Sequence, residues 1–159
     1  MFKHRNIWKT VAKSAGNTAM MNNYNIQRIC TSSAERALLF ANEEAKKSGH
    51  DVDARHLMLG LLREGKGIGA KHLNQMKVSA ESVRELVREE PRTSPFFRVG
   101  LQNHLERAFE ECIRLGHDFI GSEHLLLSIL DDCDNGEIFR QLKVNPSAAR
   151  TNLLQMIGS

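Results

Sequence analysis

The amino-acid sequence predicts an all-α protein made of a tandem duplication of a four-helix repeat. Strong helix formers such as Leu, Ala, Glu and Lys are common, whereas the 159-residue chain holds only three prolines, which favours helices over strands. Apolar residues recur at helical spacing, for example at Leu57, Leu61 and Leu62. Three segments also return in the same order and at a nearly constant spacing, which indicates an internal repeat.

Three pairs of segments carry the duplication. The chain repeats "ANEEAKKSGHD" (41–51) as "AFEECIRLGHD" (108–118), "RHLMLGLL" (55–62) as "EHLLLSIL" (123–130), and "LNQMKVSAESV" (73–83) as "FRQLKVNPSAA" (139–149). These pairs predict a first repeat at 31–90, a proline-containing linker at 91–97, a second repeat at 98–159 and a tail at 1–30. We expect the two copies to pack against each other about a pseudo-two-fold axis.

The helix boundaries are predicted from residues that typically begin or end helices. Gly49 and Gly116 are expected to end the first helix of each copy, because glycine accepts the left-handed conformation found just past a helix. Ser122 is the predicted cap of the second helix in copy two, and Asn145 followed by Pro146 indicates another helix start. The predicted helices are 32–48, 54–64, 68–76 and 79–90, then 99–115, 122–132, 135–142 and 146–156. Their first helices should bury Leu38, Ala41, Ala45 and Leu105, Ala108, Cys112.

One glycine-rich stretch nearly matches a phosphate-binding loop. Gly60, Gly65 and Lys66 fit G-x-x-x-x-G-K, but Gly67 stands where a Ser or Thr hydroxyl would hold magnesium. The stretch also follows a helical pattern, whereas a phosphate-binding loop follows a buried strand. The sequence therefore predicts a connection between two helices, and a nucleotide hydrolase is the disfavoured alternative.

The positive charge of the chain is concentrated in its tail. The net charge is +3, and the first acidic residue is Glu35. The basic residues that precede it are Lys3, Arg5, Lys9, Lys13 and Arg28. The repeats themselves are therefore not expected to bind nucleic acid, which leaves binding through the tail as an alternative. A basic tail rich in Ala, Asn, Ser and Thr is typical of an organellar transit peptide; a disordered extension, or a start at Met20 or Met21, fits it too.

The composition also limits which cellular compartments fit the protein. The three cysteines show no C-x-x-C spacing, and their odd number argues against a disulfide framework. No apolar stretch reaches the roughly 18 residues that a membrane span needs. We expect a cytoplasmic protein without membrane contact, or one in the plastid stroma or another organelle matrix if residues 1–30 are a transit peptide.

Four histidines recur at related places in the two copies. His50, His56, His117 and His124 are spaced H-x5-H and H-x6-H, which fits no zinc signature. Their recurrence indicates packing or helix capping, and no nucleophile with an adjacent base marks a catalytic site. We expect no metal, no cofactor and no enzymatic activity.

The duplicated motifs resemble a known family. A unit with E-E-A-x-x-x-G-H, then [ST]-E-H-x-L-L-x-x-L, then R-E-G-x-G-I-x-A is similar to the amino-terminal repeat domain of Clp/Hsp100 unfoldases, above all its ClpC branch. The resemblance covers about residues 31–158. The segments that carry it are "NEEAKKSGH", "LGLLREGKGIGAKHL", "LGHDFIGSEHLLLSIL" and "LLQMIGS". It implies a protein-binding module in protein quality control, whose partners are a Clp AAA+ ATPase, the ClpP protease core, adaptors or substrates.

The sequence contains the repeat domain without an ATPase motor. We therefore expect a stand-alone Clp repeat protein. Two alternatives remain within the same family: the receiver domain of a longer ClpC-like AAA+ unfoldase, and a plastid-type accessory subunit of the Clp protease.

The resemblance also implies a ligand. In ClpC, the Glu of the T-E-H motif holds the guanidinium of phosphorylated arginine, while amides at that helix start and an earlier Thr hold the phosphate. Copy two keeps Ser122 and Glu123 but has Arg98 at the Thr place, and copy one has Thr31 but Arg55 at the Glu place. The sequence thus predicts two incomplete sites, with phosphoarginine at copy two and an anion near Arg55. Alternatively, Glu123 only complements the helix dipole.

Overall fold

The computed structural model describes residues 29–49, 51–89, 101–131 and 135–158. Within these ranges the chain forms helices and no strand, four helices from each predicted repeat, so the all-α duplicated fold is confirmed. The tail 1–28, the linker 91–97 and Arg98 lie outside the described residues. None of the described helices is long and apolar enough to cross a membrane. The helices are α1 (Ser32–Ser48), α2 (Ala54–Glu64), α3 (Ile68–Gln75), α4 (Ala80–Glu89), α5 (Leu101–Arg114), α6 (Ser122–Leu130), α7 (Gly136–Gln141) and α8 (Pro146–Met156).

The core of each repeat is the contact between its first two helices. Ala41 on α1 and Ala108 on α5 are completely buried, as predicted. At the first crossing, a β-carbon added to Gly60 of α2 would collide with the carbonyl oxygen of Ala37 on α1. The two helix backbones therefore touch here, and only residues without bulk fit on both sides.

The predicted helix ends are mostly confirmed. Gly49 and Gly116 adopt the left-handed conformation, with φ of 72° and 74°. After α5, the amide of Gly116 donates to Ile113 O at 3.0 Å and that of His117 donates to Cys112 O at 2.9 Å, the paired bonds of a Schellman motif.

The predicted cap at Ser122 is wrong. The N-cap of α6 is Gly121, and Ser122 is the first helical residue. The Ser122 hydroxyl instead accepts a hydrogen bond from the amide of Gly69, at 3.0 Å. Gly69 is the second residue of α3 in the other repeat, where the N-cap Gly67 has no side chain to offer. Ser122 therefore caps a helix of the first repeat and joins the two copies.

Further hydrogen bonds interleave the repeats. The amide of Thr31 donates to Ile120 O, and the amide of Ile120 donates to Ile29 O, both at 2.8 Å. This parallel bridge lays the residues before α1 along the residues before α6. At the far side of the interface, His72 Nε2 lies 2.9 Å from Ala149 O. The start of α1 is thus held beside the start of α6.

Candidate ligand site at the start of α6

Three helix starts converge where the repeats meet. The bridge at Ile120 brings the start of α1 to α6, and the Gly69–Ser122 hydrogen bond brings the start of α3 to the same place. A helix start carries amides without intrahelical partners and the positive end of the helix dipole. The junction of α1, α3 and α6 is therefore suited to negatively charged groups.

The chain already supplies one such group, the carboxylate of Glu64. Its Oε1 accepts hydrogen bonds from the amides of Lys66 and Gly67, at 3.3 and 2.8 Å. Its Oε2 accepts a bond from the Ser33 hydroxyl, at 3.2 Å. The glycine stretch after α2 thus connects two helices, as expected, and its amides hold a carboxylate of the protein itself.

Thr31 belongs to this junction. It caps α1, where its hydroxyl accepts from the amide of Ala34 at 3.2 Å, and its side chain is exposed. The helices α1 and α2 run antiparallel, because Ser33 contacts Glu64 at one end and Ser48 contacts His56 at the other.

This arrangement corrects the sequence-based pairing of Thr31 with Arg55. A helix of 17 residues separates the start of α1 from its end, a length of roughly 25 Å. Since Arg55 lies in the first turn of α2, at the far end of α1, it is remote from Thr31. The amide of Thr31 instead donates to Ile120 O at 2.8 Å, so Thr31 lies beside the residues that lead into Ser122 and Glu123 of the other repeat.

Glu123 supplies the carboxylate of the junction. It is half-buried in the first turn of α6, and its side chain folds back over Gly121, where an added β-carbon would lie 2.7 Å from Glu123 Cδ. In the described part of the chain, no Lys, Arg or His is within ion-pair distance of this carboxylate. It is therefore available to a cation from outside.

Arg55, the counterpart of Glu123, has a structural role. The side chain is only 3% exposed. Its Nε and Nη2 donate to the Asp53 carboxylate at 3.2 and 2.6 Å, and its Nη1 donates to Leu86 O at 3.3 Å. The expected attraction of an anion from solution is not supported here, because the guanidinium is buried and paired within the protein.

Two of the four repeated histidines cap helices, one of the roles that their recurrence indicated. His56 and His124 are the third residues of α2 and α6, and both are buried. Each accepts at Nδ1 from the backbone amide of the N-cap residue, Asp53 at 3.1 Å and Gly121 at 2.8 Å. His50 lies outside the described residues.

His117, Glu123 and His124 bring three potential metal ligands within 4.8 Å of one another. Two histidines and a carboxylate are a donor set that zinc uses. However, Nδ1 of His124 accepts a backbone N–H, so the ring proton is on Nε2 and no lone pair faces the group. Burial, with a smaller effect of His117, lowers the pKa of His124 to about 4. The geometry favours a hydrogen bond between the two histidine rings over a metal site.

Comparison with known proteins agrees with this architecture. The profile of the Clp repeat (R) N-terminal domain matches residues 29–95 and 97–159. The chain belongs to this family. The Clp repeat chain is 36% identical over 138 residues to the chloroplastic chaperone protein ClpC1 of Arabidopsis thaliana, covering 80% of this chain and 15% of the relative. It is 30% identical to the negative regulator of genetic competence ClpC/MecB of Bacillus subtilis, covering 81% and 17%.

Solved structures support the same fold. The N-terminal domain of ClpD from Arabidopsis thaliana superposes with a TM-score of 0.68 at 23% identity, covering 82% of this chain and 98% of that one. The Hsp104 N-terminal domain from Candida albicans gives a TM-score of 0.67 at 15% identity, covering 82% and 93%. The Clp repeat chain thus spans the length of such domains, but only 15% to 17% of the curated relatives named above.

Proposed function

We propose that this Clp repeat domain is a non-enzymatic protein-binding module of the Clp protease and unfoldase system. It docks substrates, adaptors or the Clp machine. Family membership supports this assignment, since the relatives named above are Clp chaperones and regulators. The described residues offer an exposed junction of helix starts with an available carboxylate, which suits recognition of a side chain on a partner.

The ligand class follows from one observation, the half-buried Glu123 carboxylate, which forms no ion pair with any residue that the structure describes. A carboxylate matches the planar fork of a guanidinium, and the adjoining helix starts favour a phosphate. We therefore assign arginine, in particular phosphorylated arginine, to a single site formed by Thr31, Ser122 and Glu123. Because the Ser122 hydroxyl is used by Gly69, Ser122 contributes its backbone amide.

The second place related by the repeat does not form an equivalent site in this proposal. Its carboxylate, Asp53, and its guanidinium, Arg55, already pair with each other. One bound ligand per chain is the expected stoichiometry.

Titration of the isotope-labelled protein with phosphoarginine tests this assignment. Amide signals of Ser122–His124 should move, those of 54–57 should stay, and Glu123→Gln should abolish the shifts. Glu106→Gln, a change at an exposed carboxylate on α5, is the matched control. No shift at millimolar ligand, or shifts that survive Glu123→Gln, would rule out the site.

The partners are tested separately. Purification from native lysate should enrich a Clp ATPase or ClpP subunit, and repeated failure to enrich either would contradict the docking role. The second candidate, the receiver domain of a longer ClpC-like unfoldase, is favoured by the small fraction of each relative that the chain spans. It predicts an AAA+ reading frame directly downstream in the gene.

The proposed cellular location also rests on the named relatives. Relatives named chloroplastic favour the plastid stroma over the cytoplasm if residues 1–30 are removed as a transit peptide. Mass spectrometry of the mature amino terminus decides between these locations, since an intact Met1 excludes the organelle.

A further inference from the structure

A chain of hydrogen bonds fixes the protons of two histidines beside Glu123. It begins at the backbone amide of Gly121, which donates to His124 Nδ1 at 2.8 Å. A backbone amide only donates, so Nδ1 of His124 holds a lone pair and the ring proton is on Nε2. His124 is 1% exposed, and burial keeps its pKa far below its ordinary value, so the ring is neutral at pH 7.

The next hydrogen bond determines which nitrogen of His117 carries a proton. His124 Nε2 lies 2.8 Å from His117 Nδ1. Since the proton is on His124 Nε2, that nitrogen donates and His117 Nδ1 accepts. The proton of a neutral His117 must then be on Nε2. His117 is half-buried, and among the described residues its ring is hydrogen-bonded through Nδ1 to His124 and not through Nε2.

The His117 ring, which carries this N–H donor, is a neighbour of the Glu123 carboxylate, which is an acceptor. A ring nitrogen of His117 and a carboxylate oxygen of Glu123 lie within 4.8 Å. A phosphorylated arginine carries a cationic guanidinium directly bonded to an anionic phosphoryl group, so it presents a matching donor and acceptor at short range. The carboxylate suits the first group, and an N–H donor suits the second.

We propose that His117 is a further ligand-contacting residue, whose Nε2–H donates to a phosphoryl oxygen while Glu123 holds the guanidinium. This assignment rests on the proposed function of the Glu123 site. His117 thereby distinguishes phosphorylated from unmodified arginine. In the first repeat, Arg55 stands at the Glu123 position, and the Ser48 hydroxyl lies 3.0 Å from His56 Nε2.

Two measurements test the assignment. Imidazole nitrogen spectra of the full chain should show the proton on Nε2 in both His124 and His117. His117→Ala should lower the affinity for phosphoarginine about tenfold, the worth of one charge-assisted hydrogen bond, and leave the affinity for arginine unchanged. His117→Gln should bind phosphoarginine better than His117→Ala, because the glutamine side-chain amide can both accept from His124 and donate to the ligand.

A matched control is Ser48→Ala, which removes a hydroxyl contact of the capping histidine in the first repeat and should not affect binding. A proton on Nδ1 of His117, or unchanged phosphoarginine affinity in His117→Ala, overturns the role of His117 and leaves the Glu123 site standing. Absence of any binding by the unmodified protein, with the Nε2 tautomers present, overturns the proposed function and the role of His117 together.

Discussion

Glu44 on α1 lies 2.9 Å from Arg84 on α4, and the same ion pair recurs in the second repeat between Glu111 and Arg150, also at 2.9 Å. Both carboxylates are only 6% exposed. Burial alone would raise the pKa of Glu44, but the hydrogen bond and the charge of Arg84 outweigh it and lower that pKa. The pair therefore fastens the fourth helix of each repeat to the first.

Removing Arg84 or Arg150 takes away one of two arginine partners of a buried carboxylate, since Glu44 also pairs with Arg63 and Glu111 also pairs with Arg114. We expect Arg84→Met and Arg150→Met each to lower the free energy of unfolding by about 1–2 kcal/mol, measured by urea denaturation. Arg88→Met, which breaks exposed pairs with Glu81 and Glu85, should change it by less than about 0.5 kcal/mol. Equal effects at Arg84 and Arg88 would show that the recurring pair has no special role.

Gly60 is the most sterically restricted glycine in the first repeat. A β-carbon added to Gly60 would collide with the backbone of Ala37. Gly60→Ala should therefore separate α1 from α2 and lower the free energy of unfolding by about 1–3 kcal/mol. Gly136→Ala, where an added β-carbon meets nothing within 4 Å, should be neutral or stabilise α7. Thermal melts of both variants check this, and a neutral Gly60→Ala would mean that the two helices tolerate a wider spacing.

The buried alanines at the corresponding crossings make a related prediction. Ala41 and Ala108 are completely buried. Replacing either with Leu should therefore overpack the core and lower the free energy of unfolding by about 1–3 kcal/mol. The melting temperature of each variant is the measurement. Leu39→Ala, a change at an exposed position of α1, is the control that should leave it nearly unchanged.

The helices were predictable because their signals are local. Gly49, Gly116 and Asn145–Pro146 act on residues within one turn, and the observed helices begin and end there. Buried positions such as Ala41 follow from helical spacing. Because the internal repeat aligns the two copies, a helix assigned in one copy also indicated the matching helix in the other.

The candidate site was only partly predictable, because its geometry depends on contacts between distant residues. The sequence identified Thr31, Ser122 and Glu123, but it paired Thr31 with its own repeat. The bridge from Cys30 to Ile120 has no local signature. Capping rules likewise assign Ser122 to its own helix, whereas the partner of its hydroxyl is Gly69, 53 residues away.

The hydroxyl of Ser122 should contribute to the contact between repeats. Ser122→Ala leaves the amide of Gly69 without its buried acceptor, so we expect a loss of about 1 kcal/mol and faster amide exchange at the start of α3. Ser147→Ala on the exposed face of α8 is the control. Unchanged exchange at 68–70 in Ser122→Ala would show that another group satisfies Gly69.

The neutral cap at His124 should make the protein sensitive to acid. The pKa of His124 falls from an ordinary 6.5 to about 4 in the folded protein, first because of burial and then because of His117. Between these values the unfolded chain binds a proton that the folded chain does not, so stability rises with pH there. The contribution is complete above pH 6.5 and is lost as the pH falls toward 4, by about 3 kcal/mol. Denaturation curves from pH 7 to pH 4 should follow this course, and His124→Gln should lower stability at pH 7 while flattening the dependence. An undiminished dependence in His124→Gln would place the acid sensitivity in other groups.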